Sequence, residues 1–574
     1  MEPGLVPRDN PNHRHPGDAP RVGRLERAEM EEARQDLPVI RIGPDIRAMV
    51  EECAAAILAL PGEPIVYQRA RQLAILTFDP PPLEKITRPP GVPSIVIPSG
   101  PYLRTLASDA ARWIRFDARK KDWVDTQPWP GVSAHLLHHD RWPFPQLHGV
   151  ITAPTLRSDG SILESPGYDP ETGLYLATHR EFPNIPDRPD YDDARQALTR
   201  LQEPFEQFAF DGEHGLSAVV AAILTMAIRY LIDDPVPLFA ISATKAGTGK
   251  SLLADTITLA ATGSLPARYT PTHDPEEERK RLFALALAGT PTILIDNVIE
   301  PLGSPALDMV LTSTTLTDRV LGASEQRTIP FMSTMLATGN GMQYKGDTAR
   351  RVLPIDLDAM MENPEQRTGF KHEGLREYVK EQHPQLVVDA LTIIKSYIDA
   401  GQQKQGGLPV IGSFEKWDWL IRHCLVWLGC EDPALGRERA IREQDVVRGP
   451  LLALLTAWRE CYGDRSKTLK TVEQDIAYHR GRSLTTDHAS RYSEHVGDPI
   501  SPEEWAKWDE LFSALTEFDD RSSGTLINTK TIGYELRKMQ GRVVDTLRLT
   551  KDELDGHSKS ARWKVVDLSH LECG

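Results

Sequence analysis

The sequence has 574 residues, with 66 Lys and Arg against 82 Asp and Glu, and its net charge of −16 excludes a generally basic protein that coats nucleic acid, although a ring or groove can still concentrate positive charge. That length exceeds what one hydrophobic core covers, and 45 prolines with 40 glycines imply many loops and at least one linker. Cys53, Cys424, Cys430, Cys461 and Cys573 show no C-x2-C spacing and read as reduced thiols; the apolar stretch 216–228 is too short to span a bilayer and the N-terminus is polar, so a cytoplasmic protein is expected.

Residues 1–44, opening MEPGLVPRDNPNHRHPGDAP, are too poor in apolar side chains to offset the entropy of ordering and are expected to form a disordered tail. An N-terminal α+β domain is expected over 45–195. Apolar Ile46, Met49, Val50, Cys53 and Ile57 predict an amphipathic helix over 46–60, and PSIVI predicts a strand. Turn pairs Asp159-Gly160, Pro166-Gly167 and Thr172-Gly173 break HGVITAPTLRSDGSILESPGYDPETGLYLAT into the short strands of a β-meander. His135, His138, His139 and Asp140 cluster in a Pro- and Trp-rich loop, but without a second carboxylate or a thiol they predict no metal site. The stretch FPNIPDRPDYDD marks a boundary near residue 190.

Over 200–375 helical segments alternate with short β-rich runs, which predicts an α/β domain with a parallel sheet, a P-loop ATPase core. The run LFAISA, the loop TKAGTGKS and the segment LLADTITLAAT follow as strand, loop and helix, the context a phosphate-binding loop requires. The loop comprises Thr244, Lys245, Ala246, Gly247, Thr248, Gly249, Lys250 and Ser251. Gly247 and Gly249 let backbone N–H groups wrap phosphates at a helix N-terminus, Lys250 reaches the β- and γ-phosphates, and Ser251 ligates Mg2+. Thr244 replaces the first glycine of the strict motif. ATP and Mg2+ are therefore the expected cofactors.

A second strand, TILI, runs into Asp296-Asn297, which makes Asp296 the carboxylate candidate for Mg2+. Asn297 stands where most hydrolysing ATPases carry a glutamate, which leaves the water-activating base open between Glu300 and Asp296 acting with Asn297. A third strand, FMSTMLATGN, ends in Asn340, placed to orient the attacking water. Arg350 and Arg351 precede a further strand; they are either a solvated pair or a finger reaching the γ-phosphate held by a neighbouring subunit.

Residues 376–465 carry helical periodicity, and Trp417, Trp419, Trp427 and Trp458 are expected in the core of a helical domain. The C-terminal region, 466–574, closes on a helix over 529–539 capped by Asn528 or Thr529, the strand RVVDTLRL, the turn-rich HSKSA and the strand RWKVVDL, the order of a winged helix. Lys530, Arg537, Lys538, Arg542, Lys559, Arg562 and Lys564 make a basic patch suited to phosphates, with Asp552, Glu553 and Asp555 beside it; packing or protein contacts are the alternative use.

Together GTGKS, LIDN, ATGN and the downstream Arg pair resemble an AAA+ type ATPase, specifically the superfamily 3 helicase-like ATPases of phages and integrative elements, of the primase-helicase C-terminal type. The resemblance extends over residues 140–460 and includes HDPEEERKRLFALALAGTPTILIDNV, DRVLGASEQRTIP, ATGNGMQYKGDTARRVLPIDLDAMMENPEQR and WLGCEDPALGRERAIREQD. It implies a homo-oligomeric, hexameric ring that hydrolyses ATP at subunit interfaces, translocates on single-stranded DNA and works with replication proteins. It also implies a channel hairpin, for which residues 319–330 are the candidate, with Arg319 and Arg327 at its base and the acidic Glu325 at its tip; an ordinary hairpin packed on the core is the other reading. No strand-borne D-x-D pair supports a primase. An ATPase that loads or remodels replication proteins, and a nucleotide-controlled DNA-binding regulator, are the alternatives to a helicase.

Overall fold

The computed structural model describes residues 36–569, less 79–92, 139–140, 179, 273, 320–325, 445–447, 481–500, 519–526 and 553–560. The chain divides into two compact units between Arg437 and Glu438. In the described residues no helix is long and apolar enough to cross a membrane.

The first unit opens on strand β1 (Val39–Ile42), which lies inside the segment expected to be a tail up to residue 44; Ile40 is buried and pairs the strand in parallel with β2 (Arg112–Asp117). β3 (Asp122–Thr126) completes this sheet as the antiparallel partner of β2. Helix α1 (Ile46–Leu58) starts where the Asp45 carboxylate accepts the N–H of Ala48, and buries Met49, Val50, Cys53 and Ile57 on the predicted face. It shares a core with α2 (Gly100–Ala110), Ile40 and Trp113. The predicted meander is instead two small sheets. Gly167–Asp169 pairs antiparallel with Leu174–Leu176, which then runs parallel to Gly149–Ile151, while Thr155–Leu156 and Ile162–Leu163 pair alone. Alternation and turn residues locate strands but do not select partners, which is why the pairing differs.

Helix α3 (Tyr191–Gln202) begins in the Pro- and Asp-rich stretch, where Asp190 and Asp193 form a reciprocal capping box. The hydrophobic α4 (His214–Ala227) leads into a five-stranded, all-parallel sheet of β4 (Leu238–Ala243), β5 (Ala267–Tyr269), β6 (Thr292–Val298), β9 (Thr334–Asn340) and β10 (Val352–Leu357). Its order is β5-β6-β9-β4-β10, so the strand that feeds the loop 244–249 is flanked by β9 and β10. Every residue of β4 is buried, as a central parallel strand requires, and helices α4, α5 (Lys250–Thr262) and α7 (Leu375–Asp399) share its core. Between β6 and β9, strands β7 (Thr315–Arg319) and β8 (Gln326–Pro330) form an antiparallel hairpin that starts four residues before the expected one, at Thr315 rather than Arg319. Its tip, with Glu325, lies outside the described residues. Asp318 is buried in an ion pair with Arg279 of α6 (Pro275–Leu287), which ties β7 to the core.

In the second unit α8 (Arg448–Tyr462), α9 (Leu469–Arg480), α10 (Pro502–Thr516) and α11 (Thr529–Met539) enclose their own core around Trp458, Trp508, Leu536 and Trp563. Asn528 caps α11, as predicted. The single strand read from RVVDTLRL is in fact two, β12 (Val543–Val544) and β13 (Leu547–Asp552), folded back at Asp545 with φ of 54°. Asp and Asn tolerate that left-handed turn better than other side chains, a signal that β-propensity alone hides. β14 (Arg562–Asp567) pairs with β13 and, on its other edge, with β11 (Lys467–Thr468). In the basic patch Lys538 is paired with Glu535, Lys564 lies 3.7 Å from Asp552, and Arg562 donates to Ser466; Lys559, Glu553 and Asp555 are outside the described residues. Trp417 and Trp458 are fully buried, whereas Trp419 and Trp427 are half-buried.

Candidate nucleotide site

The loop 244–249 leaves β4 at the C-terminal edge of the sheet and ends in α5. Gly247 and Gly249 have φ of 77° and 90°, in the left-handed region, and a Cβ on Gly247 would meet the Glu365 carboxylate at 2.9 Å. Gly249 is the N-cap of α5 and offers no side chain, so the first-turn N–H groups of the helix face the loop. The Lys250 ammonium donates to the Lys245 carbonyl at 3.1 Å and to the Thr248 hydroxyl at 3.3 Å, and partial burial holds its pKa below the usual lysine range. Residues Thr244, Lys245, Ala246 and Gly247 are exposed, while Thr248, Gly249, Lys250 and Ser251 are half-buried.

Two strands away, Asp296 stands near the end of β6 where the register with β9 shifts, and Asn297 takes φ of 59°. The Thr338 hydroxyl of β9 donates to Asp296 Oδ1 at 2.6 Å and accepts the Asn297 N–H at 3.2 Å, which fixes the carboxylate and the bend together. Arg268 of β5 lies 3.2 Å from the other Asp296 oxygen and also pairs with Asp255, a buried carboxylate of α5 that Arg376 approaches to 2.8 Å. Asp296, Arg268, Asp255 and Arg376 thus form a chain of alternating charge beneath the site. Asn340 is exposed at the end of β9, opposite Ala243 in the parallel register and next to the start of the phosphate loop. Glu300 is exposed beyond β6.

The two arginines differ. Arg351 is 9% exposed and ion-paired at 2.6 Å with Asp308, with Asp347 at 3.3 Å, whereas Arg350 is exposed and pairs with Asp347 at 2.8 Å. Only Arg350 is placed at the surface, and Arg351 is committed to the fold.

A cavity of about 370 Å³ opens beside Gly247, Thr248 and Gly249, walled by Phe208, Leu252, Pro364, Phe370 and Leu375 with Arg376 at one side. Apolar walls of this kind can take a planar heterocycle, and Glu203, Glu365, Arg367 and Glu373 also line the cavity. Sequence reasoning missed this pocket, because its walls come from three separate stretches of chain. It also missed Thr338, although the period of two along β9 puts Thr338 on the same face as Asn340. Arg268, Asp255 and Arg376 carried no motif.

Ser251 in the first turn of α5 and Asp296 on β6 offer a hydroxyl and one carboxylate, the oxygen donors that Mg2+ takes alongside phosphates and water. Among the described residues no group of three or more His, Cys, Asp and Glu is gathered as a metal cage. His135 is on the exposed side of a short helix and His138 follows it; His139 and Asp140 lie outside the described residues.

No protein-family model and no curated protein matches the sequence. Among solved structures, the chain is similar to the C-terminal region of NrS-1, at 11% identity and a TM-score of 0.36 over 78% of this chain and 91% of that one. It is similar to the SCCmec type IV Cch active helicase at 11% identity and a TM-score of 0.30, over 90% and 99% of the two chains, and to JCV helicase at 12% and 0.18, over 45% and 68%. At these values the likeness carries no functional conclusion for this chain.

Proposed function

We propose that the chain binds ATP with Mg2+ in the loop 244–251 and hydrolyses it, as a DNA helicase or replication ATPase of a phage or mobile element working as a ring of identical subunits. The observation that carries this reading is that the phosphate loop, Asp296 and Asn340 come together at the C-terminal edge of one parallel sheet, the place where such sheets bind ligands. Bound Mg2+ would neutralise charge on the phosphates. Ser251 and Asp296 would hold it, the latter oriented by Thr338 and freed from Arg268 as the ion takes over its charge. Loop N–H groups and Lys250 bind the phosphoryl oxygens, and the apolar cavity takes the base. Asn340 positions the attacking water, and Asp296 with Asn297, or Glu300, accepts its proton. Arg350, the exposed member of the pair, would serve a neighbouring subunit. The helix α11 and hairpin β13–β14, read as a winged helix, would supply phosphate contacts to duplex DNA.

The test is ATP turnover with and without single-stranded DNA. Lys250→Ala should lower turnover at least about 100-fold, and undiminished hydrolysis would sink the proposal. Mixing Lys250→Ala with Arg350→Ala protein should restore part of the activity if sites are shared between subunits. Asn297 in place of a glutamate favours a second reading, an ATPase that loads or remodels replication proteins, or a nucleotide-controlled DNA-binding regulator. DNA-stimulated turnover without strand separation would favour the loader, and turnover indifferent to DNA the regulator.

A further inference from the structure

Among the described residues, the sheet β1–β2–β3 is covered on one face only. Ile40 and Trp113 point into the core with α1 and α2, whereas the alternate residues Val39, Arg41, Phe116 and Trp123 stand on the other face, which the described residues leave exposed. Two large aromatics are unusual there. Phe116 is 54% exposed and Trp123 41%, directly opposite one another in the antiparallel register, with rings 5.7 Å apart and tilted by 68°. Arg41 reaches across from β1 to lie 5.5 Å from the Trp123 ring. Burying neither ring forgoes the stabilisation that a core would gain from them, so packing does not account for their position.

The turn joining these strands is basic. From Asp117 to Asp122 the sequence DARKKD holds three consecutive cations, Arg119, Lys120 and Lys121, between Asp117 and Asp122, in a chain whose net charge is −16. All three cations are exposed. Asp117 accepts the backbone N–H of Arg119 at 2.9 Å and of Lys120 at 3.3 Å, an arrangement that shapes the turn. Further along β3, Asp125 is engaged by Arg112 at 2.7 Å and so adds little free negative charge to the face.

Exposed rings beside clustered cations match a polymer of alternating aromatic bases and phosphates. Stacking on a ring tolerates any base, and the cations follow the backbone. We propose that the open face of β1–β2–β3 binds single-stranded nucleic acid, with bases on Phe116 and Trp123 and phosphates along Arg119, Lys120 and Lys121 of the adjoining turn. The site lies outside the nucleotide machinery and needs neither ATP nor Mg2+. It extends the proposed function by giving the chain a second grip on a single strand.

The experiment uses the full chain without nucleotide, titrated against fluorescent oligothymidylate and oligouridylate of about ten nucleotides. Phe116→Ala with Trp123→Ala should weaken binding about tenfold or more, while Phe116→Tyr with Trp123→Phe should retain it. Replacing Arg119, Lys120 and Lys121 by Ala, on an exposed turn, should make the slope of log K against log salt shallower by about 2, the release from three phosphates on a single strand. A photoreactive 4-thiothymidine strand should crosslink within residues 113–126. The tighter of the two oligonucleotides assigns DNA or RNA. Binding unchanged within twofold in both the ring and the charge variants, or crosslinks mapping only elsewhere, overturns the proposal, as does loss of self-association or of a protein contact as the sole effect of the ring variant. Lys250→Ala should leave this binding intact, so failure here and failure of the ATPase reading are separable.

Discussion

At Gly249 a backbone φ of 90° and a ring carbon of Phe208 3.3 Å from a would-be Cβ act in the same direction. Gly249→Ala should cost about 1–2 kcal/mol in backbone conformation and weaken ADP binding about tenfold, read by calorimetric titration. His383 sets a pH dependence. Its Nδ1 lies 3.1 Å from the Ala260 carbonyl, which can only accept, so that nitrogen carries the proton of a neutral ring, and burial lowers the pKa from 6.5 to about 4. The unfolded chain therefore binds the extra proton first. Stability is complete above pH 6.5 and falls as pH drops toward 4, by about 3 kcal/mol for this group. Urea unfolding of wild type and His383→Gln from pH 7.5 to 4.5 should show the wild type losing more, and parallel curves would contradict the assignment.

Strands β6 and β9 act as a pair because Thr338 bonds both Asp296 and the Asn297 N–H. Thr338→Val keeps the shape but strands the amide and releases the carboxylate. It should lower ATP turnover about 10- to 100-fold with KM for ATP little changed, and cost about 1–3 kcal/mol in stability. Thr338→Ser should restore both, which separates the hydroxyl from the packing. Element by element, the phosphate loop, β6, β9 and the cap of α11 were legible in sequence, because local rules govern them: glycine tolerance, apolar runs, an Asn at a helix start. The chain of charge through Arg268, Asp255 and Arg376 was not, since its members lie on β5, α5 and α7 and meet only after folding.

At the scale of the molecule, the division after Arg437 gives each unit its own apolar core. Trp458→Ala, removing a fully buried ring, should destabilise the second unit by about 3–5 kcal/mol and leave nucleotide binding in the first unchanged. Differential scanning calorimetry should then show one transition displaced and the other in place. Composition and motif alone determined that this chain folds around several cores and carries a glycine-rich loop between a strand and a helix, with a carboxylate and an amide at the ends of later strands, because those features need only local conformation and hydrophobic pattern. Which arginine is exposed, what grips Asp296, where the apolar cavity beside the loop lies and which sheet face the described residues leave bare were decided by the tertiary structure, since each depends on residues far apart in the chain being brought within a few ångströms of one another.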